Sequence, residues 1–254
     1  MTVTARDVGW SRGGRLVVDG VSLRPAPGTT VGLLGPNGSG KSSLIRLLQG
    51  AARPDTGAVE LDGVPLATQS RRTVARRIAT VTQHAETDAA LTVRDVVELG
   101  RIPHRTVLGG DRTRDADAVD GALRQVGLSD RADASWHRLS GGERQRAQIA
   151  RALAQEPTEL LMDEPTNHLD IKHQLELLRL VAELPVTTVV ALHDLNLAAA
   201  YCDTVLVLAA GRAVAAGSPE DVLTEDLVAD VYGVRARRTT RPDTGRVALL
   251  FDPF

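Results

Sequence analysis

The 254-residue chain has a single cysteine, Cys202, which excludes an intrachain disulfide and argues against a cysteine-based zinc site. Aromatic residues amount to 2% of the chain, so each one has to be read individually. Long apolar runs are missing too. The longest, such as Val205–Ala210, fall far short of the roughly 20 residues that span a bilayer, so this chain cannot form a membrane pore by itself. The N-terminal stretch MTVTARDVGW carries charge and lacks the apolar centre of a signal peptide, which predicts a cytoplasmic protein. A net charge of −2 gives no general attraction to nucleic acid, although arginine clusters can act locally. An apolar content of 43% excludes disorder of the whole chain, and the length suffices for a sizeable core in one large or two small domains.

The most informative stretch is Thr30–Gln49, TVGLLGPNGSGKSSLIRLLQ. Val31, Leu33 and Leu34 read as a short buried strand, and Leu44, Ile45, Leu47 and Leu48 recur at helical spacing. Between them, Gly35, Pro36, Asn37, Gly38, Ser39, Gly40, Lys41 and Ser42 fit the phosphate-loop pattern G-x-x-x-x-G-K-[ST] in full. A loop that wraps a phosphate aims its backbone N–H groups inward, in conformations open to glycine and awkward for residues with a Cβ. The helix starting near Lys41 adds unpaired amides and the positive end of its dipole. In this pattern Lys41 reaches the outer phosphates and Ser42 offers its hydroxyl to Mg²⁺.

Around that loop the chain divides by pattern. Residues 1–30 alternate apolar and polar side chains between turn signals, which predicts short antiparallel strands. Trp10 lies among them, either as an edge packing residue or as a platform for a nucleobase. Ala58–Asp62 reads as a strand, Ser70–Arg77 as an arginine-rich helix with a solvated face, and Ile78–Thr82 as a strand ending at Gln83. Helical patterns then cover Leu91–Gly100, Arg114–Val126 and Gly141–Gln155, with Pro103 and Gly109–Gly110 marking loops. Ser140 and Glu143 form a capping box. Gly141 and Gly142 just inside it each cost about 1 kcal/mol relative to alanine, which predicts that something approaches this helix start closely, a second phosphate being the natural candidate.

Glu159–Pro165 is an apolar strand ending in Asp163 and Glu164, and proline keeps those acids at the strand's carboxyl end, where open α/β sheets bind ligands. Asp163 suits Mg²⁺, and Glu164 suits an attacking water. Val186–Leu192 is a further buried strand that delivers His193. After a last core strand at Val205–Leu208 come a hairpin-like stretch, two short helices ending near Tyr232–Gly233, and an arginine-rich tail with a strand candidate at Val247–Phe251.

With these residues in place the chain resembles an ABC transporter ATPase subunit over nearly its whole length. Gly35–Ser42 and the following Ser43 match the Walker A motif, and Leu160–Glu164 the Walker B motif. Leu139–Glu143 resembles the ABC signature, and Asn167–Asp170 fall at the D-loop, Gln83 at the Q-loop and His193 at the H-loop. Glu159 departs from the usual apolar residue at the start of Walker B. Trp10 falls where the family places an adenine-stacking aromatic. Thr92–Asp95, Gly100–His104, Leu169–Gln174 and His193–Leu197 resemble the importers of iron siderophores, haem and vitamin B12, with Ile102 replacing a common aromatic.

The resemblance implies an α/β fold: a P-loop NTPase (RecA-like) core with an N-terminal antiparallel β subdomain and an inserted α-helical subdomain. A single domain would cover 1–254, with the core and β subdomain in 1–85 and 156–210, the helical signature subdomain in 86–155 and a C-terminal extension in 211–254. It implies ATP and Mg²⁺ as ligands, with Ser42, Gln83 and Asp163 around the metal and Glu164, His193 and Gln83 in catalysis. It also implies a homodimer or paired ATPase subunit in which Ser140, Gly141, Gly142 and Glu143 close on the partner's ATP. The further partners would be an integral membrane permease receiving the surface around Leu91–Arg105 and, indirectly, an extracytoplasmic substrate-binding protein, with no nucleic acid. The implied place is the cytoplasmic face of the membrane, and the implied cargo an iron chelate. Competing readings are a zinc or manganese importer, a soluble ABC protein acting on ribosomes, which typically has two cassettes, and a P-loop kinase, which would leave the signature unexplained.

Overall fold

The computed structural model describes residues 2–81, 90–105 and 111–252. The chain begins with β1 (Val3–Arg12), β2 (Arg15–Leu23), β3 (Thr30–Leu34), α1 (Lys41–Leu48), β4 (Thr56–Leu61), β5 (Val64–Pro65), α2 (Arg71–Arg77) and β6 (Ile78–Val81). A helical stretch follows: α3 (Val93–Glu98), a 3₁₀ segment (Leu99–His104), α4 (Arg112–Gln125) and α5 (Gly141–Ala154). The chain then resumes with β7 (Glu159–Asp163), α6 (Ile171–Ala182), β8 (Thr187–Ala191), α7 (Leu195–Tyr201), β9 (Thr204–Ala209) and β10 (Arg212–Gly217). It closes with α8 (Pro219–Val222), α9 (Glu225–Tyr232), β11 (Ala236–Thr240) and β12 (Val247–Phe251).

Six strands make the central sheet in the order β10-β9-β3-β8-β7-β6, parallel except for β10 at one edge. A strand's side chains alternate between faces, and here each face has its own core. Leu34, Leu160, Met162, Val190, Val205 and Val207 join the core shared with α5, α6 and α7. Their neighbours Leu33, Leu161, Val189, Ala191, Leu206 and Leu208 join the core shared with α1 and with β1, β2 and β4. Burial on both faces is why these strands read as continuous apolar runs. The β1, β2, β4 and β5 strands form a separate four-stranded antiparallel sheet.

Glu159 opens β7, as its sequence position suggested, but it lies inside the protein at 1% exposure. Burial raises its pKa from 4.5 to about 7, opposed by the Val3 amide and by Arg77. The folded state therefore keeps this proton where the unfolded chain has released it, and the group's contribution to stability falls as pH rises from 4.5 to 7. Glu159→Gln is expected to leave stability near pH 4.5 little changed and to raise it at pH 8 by about 1–3 kcal/mol. Urea denaturation at the two pH values measures this; an equal effect at both would show that the carboxyl does not titrate in that window.

The helical stretch departs from the sequence pattern in two places. The first predicted helix gives way at Leu99 to a 3₁₀ segment that includes Pro103, since a short 3₁₀ run forfeits little when one amide is missing. The second begins earlier than predicted, because Asp111 caps it by accepting from the amides of Thr113 and Arg114. The arginine face of α2 is exposed, as predicted, yet Arg72 and Arg76 each donate to the Pro103 carbonyl at 2.9 Å. Val119 and Leu123 on α4, and Val126 just past its end, are buried, as their spacing predicted. The arginine-rich tail holds β11, paired with β12; no apolar alternation announces it, and its strand form comes from that pairing.

Candidate nucleotide-binding site

Three neighbouring strands bring the predicted residues to one edge of the sheet. The loop after β3 holds Gly35–Gly40, β8 leads to His193, and β7 ends in Asp163 and Glu164; their order in the sheet is β3-β8-β7. Asp163 and Leu33 both pair with Ala191, so the three carboxyl ends lie level. Neither adjacency nor level is visible in the chain order.

The loop has the conformation its glycines permit. Gly35, Gly38 and Gly40 have φ of 139°, 78° and 108°. A Cβ at Gly35 would come within 2.1 Å of the Leu208 carbonyl oxygen, so this position also needs glycine for space. Pro36 and Asn37 form the outer part of the loop, and the buried Ser39 hydroxyl has no hydrogen-bond partner among the described residues. The helix that follows starts at Gly40 with no side-chain cap and no acid in its first turn. Every other α-helix among the described residues has a side-chain cap: Ser70, Thr92, Asp111, Ser140, Asp170, Asp194, Ser218 and Thr224. The amides around Lys41, Ser42 and Ser43 are thus left for an external anion.

Lys41 donates to the carbonyl oxygens of Gly35 at 2.7 Å and Pro36 at 3.3 Å. Its burial lowers its pKa from the ordinary lysine value, while the nearby carboxylates of Glu164 and Asp163 oppose that shift. Ser42 Oγ donates to Asp163 Oδ1 at 2.9 Å. Burial raises the pKa of Asp163, the Ser42 hydrogen bond works against it, and the like charge of Glu164 adds to it. A hydroxyl and a carboxylate at this spacing are hard oxygen donors of the kind Mg²⁺ takes, so the residues present fit that ion.

Glu164 is held on both oxygens. His193 Nε2 lies 2.6 Å from Oε1, and Asn167 Nδ2 donates to Oε2 at 2.7 Å. Its φ of 52° is in the left-handed region, a strain that surrounding contacts must sustain. The resemblance placed Asn167 at the start of the D-loop; its hold on Glu164, three residues away, was not read from the sequence. At the end of α9 the Tyr232 hydroxyl is buried, which pushes it up to about 12. Trp10 sits half-buried on β1 opposite Val18 and packs against the core beside α1. Gln83 lies outside the described residues.

The Ser140 turn is built as predicted, with Ser140 Oγ accepting from the Glu143 amide and the Glu143 carboxylate accepting from the Ser140 amide. The Glu143 carboxylate accepts from the Ser140 amide and also from its hydroxyl at 2.9 Å, and these two bonds, the backbone one foremost, hold it below the usual carboxylate range. Its two glycines differ in their surroundings. Gly141 has open space where a side chain would be, whereas a Cβ on Gly142 would meet the His173 ring at 2.6 Å. One of the two is therefore required by a side chain of this same protein. Asp170 caps α6, accepting from the His173 amide.

Residues 18–167 match the family model of the ABC transporter. The chain is 42% identical to the cobalamin import ATP-binding protein BtuD of Halobacterium salinarum over 98% of its own length, and spans 63% of that relative. It is 43% identical to the hemin import ATP-binding protein HmuV of Pseudomonas putida, over 94% of this chain and 95% of the other. Identity to the ferric enterobactin transport ATP-binding protein FepC of Escherichia coli is 40%, over 90% of this chain and 86% of the other. Among solved structures, an ABC transporter assigned to the metal-chelate type, in an inward-facing conformation, superposes with a TM-score of 0.86 at 25% identity over 99% of this chain and 97% of its own. A mostly parallel sheet with a phosphate loop and two acids at level strand ends is the P-loop NTPase fold, and with these matches the chain belongs to the ABC transporter family.

Proposed function

We propose that the protein is the ATP-hydrolysing subunit of an importer for a metal chelate, with an iron chelate as the first cargo to test. The observation that carries the reading is the one α-helix start without a side-chain cap among the described residues, at Gly40, facing the pair Asp163 and Glu164 across level strand ends. ATP would lie in the Gly35–Ser43 cradle, with Trp10 stacked on its adenine. Lys41 exchanges its bonds to the Gly35 and Pro36 carbonyls for the outer phosphates, and the uncapped amides hold the phosphate oxygens. Mg²⁺, held by Ser42 and Asp163 with Gln83, would neutralise charge on those phosphates. Glu164 orients the attacking water and accepts its proton, while His193 fixes Glu164 and reaches the terminal phosphate.

Two copies would pair head to tail, the Ser140–Glu143 turn of each closing on the other's ATP. The open space at Gly141 supports this, since a bulky ligand can reach the amides there. The permease would dock on the helical stretch, where Leu99 and Ile102 are 46% and 59% exposed. Beside it, α2 borders a groove of about 510 Å³ lined by Gln49, Ala51, Leu66, Arg71, Val74 and Thr80. No helix among the described residues is long and apolar enough to cross a membrane, so attachment would come through that partner, at the cytoplasmic face. The names of the relatives, which import or transport cobalamin, hemin and ferric enterobactin, support a chelated metal as cargo.

The test is recovery of an affinity-tagged chain from membranes in mild detergent. An integral membrane protein should copurify, and ATP hydrolysis by the pair, reconstituted in vesicles, should drive uptake of a ferric siderophore, haem or cobalamin. ATP-dependent phosphorylation of a metabolite by the chain alone would replace this reading with a kinase.

A further inference from the structure

The His173 ring lies beside Gly142, so closely that a Cβ there would be 2.6 Å from Cδ2 and 3.0 Å from Cγ. Its Nδ1 is 2.7 Å from Asp170 Oδ1, and the same oxygen accepts the His173 amide at 2.9 Å. With that oxygen as acceptor, Nδ1 donates, which fixes both the tautomer and the ring plane. The next residue, Gln174, donates to the carbonyls of Thr166 and Leu169, both at 3.1 Å. Asn167, in that same loop, holds Glu164. A continuous set of contacts thus runs from Glu164 through residues 166–170 to His173 and ends on the glycine turn of α5.

We infer that His173 is a positioning residue: it ties the loop that carries Glu164 to the Gly141–Gly142 turn that closes on the partner's nucleotide. This rests on the head-to-tail reading above. In that arrangement Glu164 serves one ATP and the Gly142 turn of the same chain serves the other. His173 therefore links the two sites within each subunit. The ring is partly exposed, and it contacts Asp170 on one side and the Gly142 turn on the other.

The test uses the full chain in a Glu164→Gln background and follows dimer formation in MgATP by sedimentation. His173→Leu, which fills similar space without a donor, should weaken the dimer at least about tenfold, while the melting temperature and MgATP affinity of dilute monomer stay within error. His173→Gln, whose amide can lie on Gly142 and donate to Asp170, should recover most of the loss. Equal dimerisation of His173→Leu and its parent overturns the inference, as does an equal loss in the Leu and Gln variants with a falling melting temperature. A Glu164→Gln parent that stays monomeric overturns the head-to-tail reading and this inference with it.

Discussion

Glu164→Gln is expected to lower ATP turnover by at least about 10²-fold, the usual contribution of a positioned general base, while ATP remains bound. The substitution keeps the shape of the side chain and an oxygen for Asn167, which donates at 2.7 Å. It removes the negative charge facing His193 and the capacity to take a proton from water. Since Lys41, Ser42, Asp163 and the uncapped start of α1 are unchanged, nucleotide binding persists and the closed dimer accumulates. Phosphate release and sedimentation in MgATP measure the two halves of this result. Full turnover by a monomeric variant would remove Glu164 from the chemistry and the dimer from the mechanism.

The second large effect is on stability. Arg101 is 1% exposed, and its guanidinium donates to Asp115 at 2.7 Å, Glu156 at 2.8 Å and the Ala154 carbonyl at 2.6 Å. It thereby joins the 3₁₀ segment to α4 and to the last turn of α5, where a cation also complements the helix dipole. Gly100 lets the two segments approach, since a Cβ there would lie 2.0 Å from the Arg151 carbonyl. Arg101→Ala removes the cation, takes this donor from the Ala154 carbonyl and leaves Asp115 with the longer Arg105 contact at 3.8 Å. The expected loss is about 2–4 kcal/mol, below the upper range for buried pairs because Glu156 can turn to water. Arg101→Lys should recover only part, because an ammonium cannot reproduce the planar fork. Urea unfolding of the three proteins decides it; an Arg101→Ala variant as stable as the parent would mean the network contributes nothing.

What could be read from the chain alone was local. The cradle glycines, the Ser140–Glu143 capping box and the double-faced strands follow from interactions within a few residues, or from a period of two that burial imposes. Hence Gly35, Gly38 and Gly40 take positive φ, Ser140 and Glu143 bond each other, and β12 spans the predicted Val247–Phe251. The family resemblance rested on the same local motifs. Three features belong to tertiary structure alone. Sheet order set β8 between β3 and β7 and so placed His193 against Glu164. The approach of the start of α6 to the start of α5 put His173 against Gly142, and the fold of the helical stretch buried Arg101 with its acids. Each joins residues about 14 to 160 positions apart, a separation no periodicity or spacing encodes. Side chains were fixed by the chain's own pattern where their partners were near in sequence, and by crossover packing where they were far.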